Sequence, residues 1–331
     1  MPNKKALVTG GAGFIGSHLV DELLKLNLDV VVIDDLSGGF VENVNKDVKF
    51  IQGDIGDVEF INNIFKEERF DYVFHLAAYA AEGLSHFIKH FNYQNNLIGS
   101  VNLINASINN DIKCFVFTSS IAVYGAGQLP MIESTKPQPE DSYGISKYAI
   151  ELELEASHKM FGLNYIIFRP HNVYGERQNI GDKYRNVVGI FMNQIMQDKP
   201  LTIFGDGNQQ RAFTYIGDVA PIIANSIFNE SAYNDIFNIG ANTFATVNKL
   251  VNVVSEAMGA EAKTNYLPAR NEVVSAYSDH SKVQRILGYQ DLTSLEDGVK
   301  KMASWAKEEG AKQSKKFENI EILKNLPPSW A

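Results

Sequence analysis

The 331-residue chain has a single cysteine, two tryptophans and ten prolines. One thiol excludes an intramolecular disulfide, and Cys114 opens the strand-like run K-C-F-V-F-T, where a thiol serves as core rather than as nucleophile. No apolar run reaches the length needed to span a bilayer. The first strand-like run begins almost at residue 1, with no signal-peptide pattern before it, so a cytoplasmic location is expected. Basic residues are outnumbered 30 to 39, for a formal net charge of −9. That balance leaves no general basic face for nucleic acid, and an anionic ligand would need a locally positive pocket. Ligand clusters for a metal are also scarce. Glu82, His86 and His90 stand four apart, but apolar and aromatic neighbours point to packing, and no metal is expected.

What the chain does have is 45% hydrophobic and 21% charged residues, enough for a large core and two lobes. Strand-like runs recur at K-K-A-L-V-T, D-V-V-V-I, V-K-F-I-Q-G, Y-V-F-H-L, C-F-V-F-T and Y-I-I-F-R. Helical patterning separates them, as over 57–68 and 95–107. This alternation predicts an α/β fold with a doubly wound parallel sheet of Rossmann type. Residues 1–170 are expected to form the dinucleotide-binding domain, with the run I-F-N-I-G near 235–240 returning to it. Residues 171–331 are expected to form mainly a smaller α/β substrate lobe, ending in an irregular tail packed on the surface.

Gly10, Gly13 and Gly16 follow the first strand-like run as G-x-x-G-x-x-G, and Phe14 and Ile15 stand just before the third glycine. Glycines let backbone approach a pyrophosphate, and the helix N-terminus offers it unpaired N–H groups and the positive end of a dipole. Asp34 ends the second strand-like run about twenty residues on, where an acid binds adenosine ribose hydroxyls. The segment Asp35-Leu36-Ser37-Gly38-Gly39 has no Arg or Lys to receive a 2′-phosphate. NAD is therefore expected rather than NADP. Asp54, beside Ile55, is placed to meet the adenine, and Leu76-Ala77-Ala78 to form a small-residue wall along the cofactor.

Tyr143 and Lys147 occur in S-Y-G-I-S-K-Y-A, downstream of Ser120 in T-S-S-I-A-V-Y-G. Four apart on a helix, the phenol and the ammonium share a face, so the Lys can favour the phenolate. A general base near neutral pH requires roughly 4 kcal/mol of differential stabilisation for a phenol. The neighbouring ammonium and an oxidised nicotinamide are the expected sources.

With these motifs in this order, joined by H-L-A-A, R-P-H-N-V-Y-G, G-D-G-N-Q-Q-R and a segment starting P-A-R-N-E-V, the chain resembles the extended short-chain dehydrogenase/reductases. Within them it resembles the nucleotide-sugar 4-epimerases of the UDP-glucose 4-epimerase type. The resemblance implies a catalytic triad of Ser120, Tyr143 and Lys147. It also implies that Asn95 and His171 lie against NAD, and that Asn172, Asn186, Val187, Arg211 and Arg270 hold the nucleotide-sugar. A homodimer through the helices near 95–107 and 143–160 is implied as well. Related 4,6-dehydratases carry an acidic pair where Ile121-Ala122 stand, and 3,5-epimerases carry a cysteine near Ala122. Neither is present, which leaves oxidation and reduction at C4; the resemblance implies a UDP-linked sugar, glucose/galactose or N-acetylhexosamine, as the substrate. A UDP-glucuronate 4-epimerase, another nucleotide-sugar oxidoreductase or dehydratase, and a non-catalytic NAD-binding sensor are the alternatives. In the resembling epimerases, the residue three before the Asp of D-x-S-K lines the sugar pocket. Counting back from Asp279 gives Ala276, with Tyr277 one residue away.

Overall fold

The computed structural model describes residues 3–127, 129–269, 275–313, 317–327 and 330. Arg270 lies outside them. Six short apolar runs become strands: β1 (Lys5–Thr9), β2 (Asp29–Asp34), β3 (Lys49–Gln52), β4 (Tyr72–His75), β5 (Cys114–Thr118) and β6 (Tyr165–Pro170). With the strand Asp235–Ile239 they form a seven-stranded sheet. The order is Asp235–Ile239, β6, β5, β4, β1, β2, β3, and all six pairings are parallel. The order reverses between β1 and β4. A crevice opens at such a switch point, at the carboxyl ends of the strands.

Parallel strands buried on both faces must be apolar at successive positions, and β1 shows why. Ala6 and Val8 face a core completed by Leu19, Val20 and Leu23 of helix α1 (Phe14–Lys25) and by the helix Ile216–Asn225. Leu7 faces the opposite core. There it joins Ile61 and Phe65 of α2 (Val58–Glu68), and Ile150 and Leu154 of a long helix described below. The α2 start is local chemistry, since the Asp57 carboxylate accepts hydrogen bonds from the Glu59 and Phe60 N–H groups at 3.0 Å each. Cys114 is fully buried, and burial pushes its thiol pKa up.

Between β4 and β5 the chain forms four helical pieces, the last two of which cover the patterning expected over 95–107. These are α3 (Glu82–Ser85), α4 (Lys89–Tyr93), a π turn over Gln94–Ile98, and α5 (Gly99–Asn109). Then comes α6 (Ser142–Phe161), opened by the Asp141 side chain accepting from Gly144 N–H at 2.8 Å and closed by left-handed Gly162. A third core lies beyond β6. It is built from Phe191 and Met192 of α7 (Val187–Met196), Leu250 and Val254 of the helix Val247–Met258, and Val299 and Met302 of the helix Leu295–Glu309. The chain end is irregular and packs on the body of the molecule. Trp330 is 5% exposed, edge-on to Phe87 and Tyr184, and the Phe317 ring packs on Tyr79 and Phe91. Among the described residues, no helix is long and apolar enough to cross a membrane.

Candidate active site

The glycine-rich turn is shaped by close backbone approaches. Gly10 has φ +74°, and a Cβ there would fall 2.7 Å from the Ala77 nitrogen. A Cβ on Gly16 would fall 2.1 Å from the Gly10 carbonyl oxygen, so only glycine lets α1 sit on the turn. Gly13 caps α1 without a side chain, which leaves the first-turn N–H groups to a ligand. The Asp34 carboxylate is buried, accepting from Ala12 N–H at 3.0 Å and Leu36 N–H at 2.9 Å, and burial raises its pKa. Leu76, Ala77 and Ala78 follow β4 directly, with Leu76 N–H donating to the Thr9 carbonyl at 3.1 Å. Asp54 is exposed after β3, while Ile55 is buried against Gly99. A glycine cradle, a helix start with no side-chain cap and an acid at the end of β2 fit a dinucleotide such as NAD.

At the far end of the crevice, α6 brings Tyr143 and Lys147 to Ser120, which caps the short turn Ile121–Tyr124 after β5. The approach needs Gly144, because a Cβ there would fall 2.6 Å from the Ala122 carbonyl oxygen. All three side chains are buried. Lys147 Nζ donates to the Thr118 carbonyl at 2.8 Å and lies 5.8 Å from the Tyr143 ring centroid. Burial pushes the ammonium down to about 7, opposed by Glu151. The phenol is not yet a good base in this setting. Burial raises its pKa and Glu82 adds to the rise, while a hydrogen bond from Ser120 and the charge of Arg185 pull the other way. The chain by itself therefore favours the neutral phenol, because desolvation outweighs the Ser120 hydrogen bond and the Arg185 charge.

Behind these side chains runs a polar network that sequence reading missed. Arg169 on β6 grips Glu151 of α6 through Nε at 2.9 Å and Nη2 at 2.5 Å. Ser119 Oγ donates to the same carboxylate at 2.5 Å, and Arg169 Nη1 donates to Tyr124 Oη at 2.7 Å. Tyr124 in turn donates to Asn238 Oδ1 at 2.8 Å, on the seventh strand. On β4, His75 lies 2.7 Å from both Thr9 Oγ1 and Ser100 Oγ, and burial pushes it down to about 3, so it is neutral. The signal for the ion pair was present as a glutamate four after Lys147, but its partner on β6 is far away in sequence.

The remaining expected residues lie past β6. Asn172 is left-handed at φ +42°, and its carbonyl accepts from Thr214 N–H at 3.1 Å. Asn186 (φ +61°) is the exposed cap residue of α7, and Val187 is its first residue. Arg211 and Ala276 are neighbours, paired in parallel between the short strands Gln210–Arg211 and Ser275–Ala276. His171 is buried with its Nε2 2.9 Å from His280 Nε2 and 3.0 Å from Ser278 Oγ. Burial pushes these histidines down to about 3 and about 4 respectively. Gly240 makes room for the ring, since a Cβ there would fall 2.1 Å from His171 Nε2. Asn95 is half-buried in the π turn. Glu82, His86 and His90 do not share one helix, because α3 and α4 are separate, and both histidines are exposed. No metal-holding group of three or more His, Cys, Asp or Glu occurs among the described residues.

A doubly wound sheet with a glycine cradle at its switch point and a Ser-Tyr-Lys trio across the crevice defines a dinucleotide-dependent enzyme of the short-chain dehydrogenase/reductase type. Residues 6–240 match the NAD dependent epimerase/dehydratase family, and the chain belongs to it. It is 36% identical over 305 residues to a putative UDP-glucose 4-epimerase of Methanocaldococcus jannaschii, covering 91% of this chain and 98% of that one. Among solved structures it is similar to the UDP-glucose 4-epimerase of Thermotoga maritima with UDP-glucose, at 36% identity and a TM-score of 0.88, covering 92% of this chain and 99% of that one. It is also similar to the UDP-N-acetylglucosamine 4-epimerase of Methanobrevibacter ruminantium M1 in complex with UDP-N-acetylmuramic acid, at 33% identity and a TM-score of 0.85, covering 92% and 98%.

The buried ion pair makes a prediction. Glu151→Gln removes the countercharge from Arg169 and should cost about 3–5 kcal/mol in urea unfolding. Replacing both together, Glu151→Leu with Arg169→Met, should recover most of that loss. A single variant as stable as the parent would contradict the pair's role.

Proposed function

We propose that this protein is an NAD-dependent epimerase that inverts C4 of a UDP-linked sugar. The observation that carries the reading is the convergence of Ser120, Tyr143 and Lys147 beside Ile121-Ala122, a pair of positions that holds neither the acidic pair of the 4,6-dehydratases nor the cysteine of the 3,5-epimerases. Such a site can move one proton and hold one oxyanion, and it lacks the groups for elimination. Bound NAD supplies the hydride acceptor, and afterwards the donor, at C4. Tyr143 takes the proton of the 4-hydroxyl as the C4–H bond breaks, leaving a 4-keto sugar. Ser120 donates a hydrogen bond to the same oxygen, and Lys147 steadies the phenolate and the nicotinamide ribose. With the sugar turned over and its diphosphate still held, the opposite face of C4 would meet the bound cofactor, and Tyr143 would return the proton to the 4-oxygen.

In this reading Gly10, Gly13, Phe14, Ile15, Gly16, Asp34, Asp35, Leu36, Ser37, Gly38, Asp54, Ile55, Leu76, Ala77, Ala78, Asn95 and His171 hold NAD. Asn172, Asn186, Val187, Arg211 and Arg270 hold the nucleotide-sugar in the lobe formed mainly by 171–331. Incubation with a panel of UDP-sugars, with the epimers resolved by NMR, tests the activity. Tyr143→Phe should abolish turnover and leave NAD bound, whereas Lys147→Ala should lower turnover and loosen NAD as well. Turnover in Tyr143→Phe within threefold of the parent would remove the base from this account.

Ala276 sets the size of the sugar in the same proposal. It is buried in a small cluster with Ile121, Val123, Tyr124 and Met131, beside the Ser120 turn. The neighbouring Tyr277 ring instead stacks on Phe244 at 5.1 Å. A methyl group at this position leaves room for a 2-acetamido substituent, so UDP-N-acetylglucosamine should be accepted alongside UDP-glucose. Ala276→Tyr should cut N-acetylhexosamine turnover far more than hexose turnover, since overfilling costs about 1–3 kcal/mol. Equal losses on both sugars would point to another residue.

We also propose a homodimer built on α5 and α6. On α6, Ile150 and Leu154 form the stripe that fills the core. Ile145, Leu152, Met160 and Phe161 remain exposed on α6, with Ile98 exposed on the π turn that leads into α5. Sedimentation at micromolar concentration should give twice the 36.8 kDa chain mass. A monomer alone would rule this assembly out.

A further inference from the structure

The loop in front of α7 carries Arg185 into the crevice. Its guanidinium lies against Gly38, with Nη2 and Nη1 at 3.7 and 4.0 Å from the position a Cβ would take there. It also stands 4.8 Å over the ring of Tyr79, the residue after Leu76-Ala77-Ala78. That ring belongs to a fixed segment, because the Tyr79 backbone exchanges two hydrogen bonds with the Asn96 side chain, at 2.7 and 3.1 Å. One edge of the guanidinium is held by Asp182, through Nε at 2.6 Å and Nη2 at 2.5 Å. The Arg185 side chain is only 17% exposed, so it is set in place rather than waving in solvent. Its charge also reaches the Tyr143 phenol.

These neighbours mark both ends of the dinucleotide crevice. Gly38 follows Asp34 at the adenosine end, and Tyr143 stands at the hydride-transfer end. Between the two ends of an extended dinucleotide lies its diphosphate, the part that carries the negative charge. The glycine turn meets that charge with N–H groups, while Asp34 and Asp35 add carboxylates nearby and residues 35–39 contain no cation. We propose that Arg185 is a clasp on the cofactor's diphosphate, reaching over from the loop before α7 and slowing the release of NAD. Asp182 positions the clasp by fixing one edge of the fork, and the planar guanidinium presents its other N–H groups to phosphate oxygens.

The test compares Arg185→Ala, Arg185→Gln and Arg185→Lys with the parent. NAD retained through purification is measured by releasing and quantifying the nucleotide, NAD dissociation by chase with excess labelled NAD, and UDP affinity by calorimetry. Arg185→Ala and Arg185→Gln should release NAD at least tenfold faster and bind UDP within twofold of the parent. Arg185→Lys, which keeps the charge but loses the fork, should fall between. Thermal melting with and without added NAD keeps the test sound if one variant folds poorly, because NAD should then raise its melting temperature less than it raises the parent's. NAD release within twofold of the parent in both Arg185→Ala and Arg185→Gln would overturn the clasp. A tenfold loss of UDP affinity with unchanged NAD release would overturn it too, and would assign the guanidinium to the substrate's diphosphate.

Discussion

The active-site end of this molecule depends on one buried ion pair, Glu151 with Arg169. A carboxylate and a guanidinium removed from water are costly, and the pair is tolerable because both carboxylate oxygens and all three guanidinium nitrogens are hydrogen-bonded. Its partners are what matter for the site. Glu151 sits one helical turn from Lys147, Ser119 is the neighbour of Ser120, Tyr124 closes the turn that Ser120 caps, and Asn238 reaches in from the seventh strand. One network therefore fixes the catalytic helix, the serine turn and the far edge of the sheet relative to one another.

Around that anchor the backbone is drawn in by glycines. Gly144 lets α6 close on the Ala122 carbonyl, as Gly10 lets the segment after β4 close on the dinucleotide turn. Each contact is a close approach that any side chain would block. These glycines are therefore geometric requirements of the site, and their spacing follows from where two elements touch.

The electrostatics of the protein alone are those of a site prepared for a charged partner. The crevice buries a phenol whose pKa is raised, an ammonium pushed down to about 7 and neutral histidines. Burial favours the uncharged form of each. A positively charged nicotinamide entering that space would favour the phenolate. The Glu151 carboxylate favours the Lys147 ammonium, against the burial that pushes it down.

The sequence by itself determined what is written locally. The apolar runs became β1–β6, Asp57 and Asp141 start the helices they precede, and the glycine turn, Asp34 and the Ser-Tyr-Lys motifs marked the crevice and the family. Each follows from backbone conformation, capping or a spacing within one element. Tertiary structure alone decided which distant residues meet. Packing of α6 on β6 brings Arg169 to Glu151, the return of the chain near 280 sets His280 and Ser278 on His171, and the loop before α7 lays Arg185 on Gly38. It also sent Leu154 to the core and buried Trp330 under the 79–91 segment. Such pairings have no local signature, because each partner alone reads as an ordinary polar or apolar residue. Only closure of the sheet and its covering helices gives them a common address.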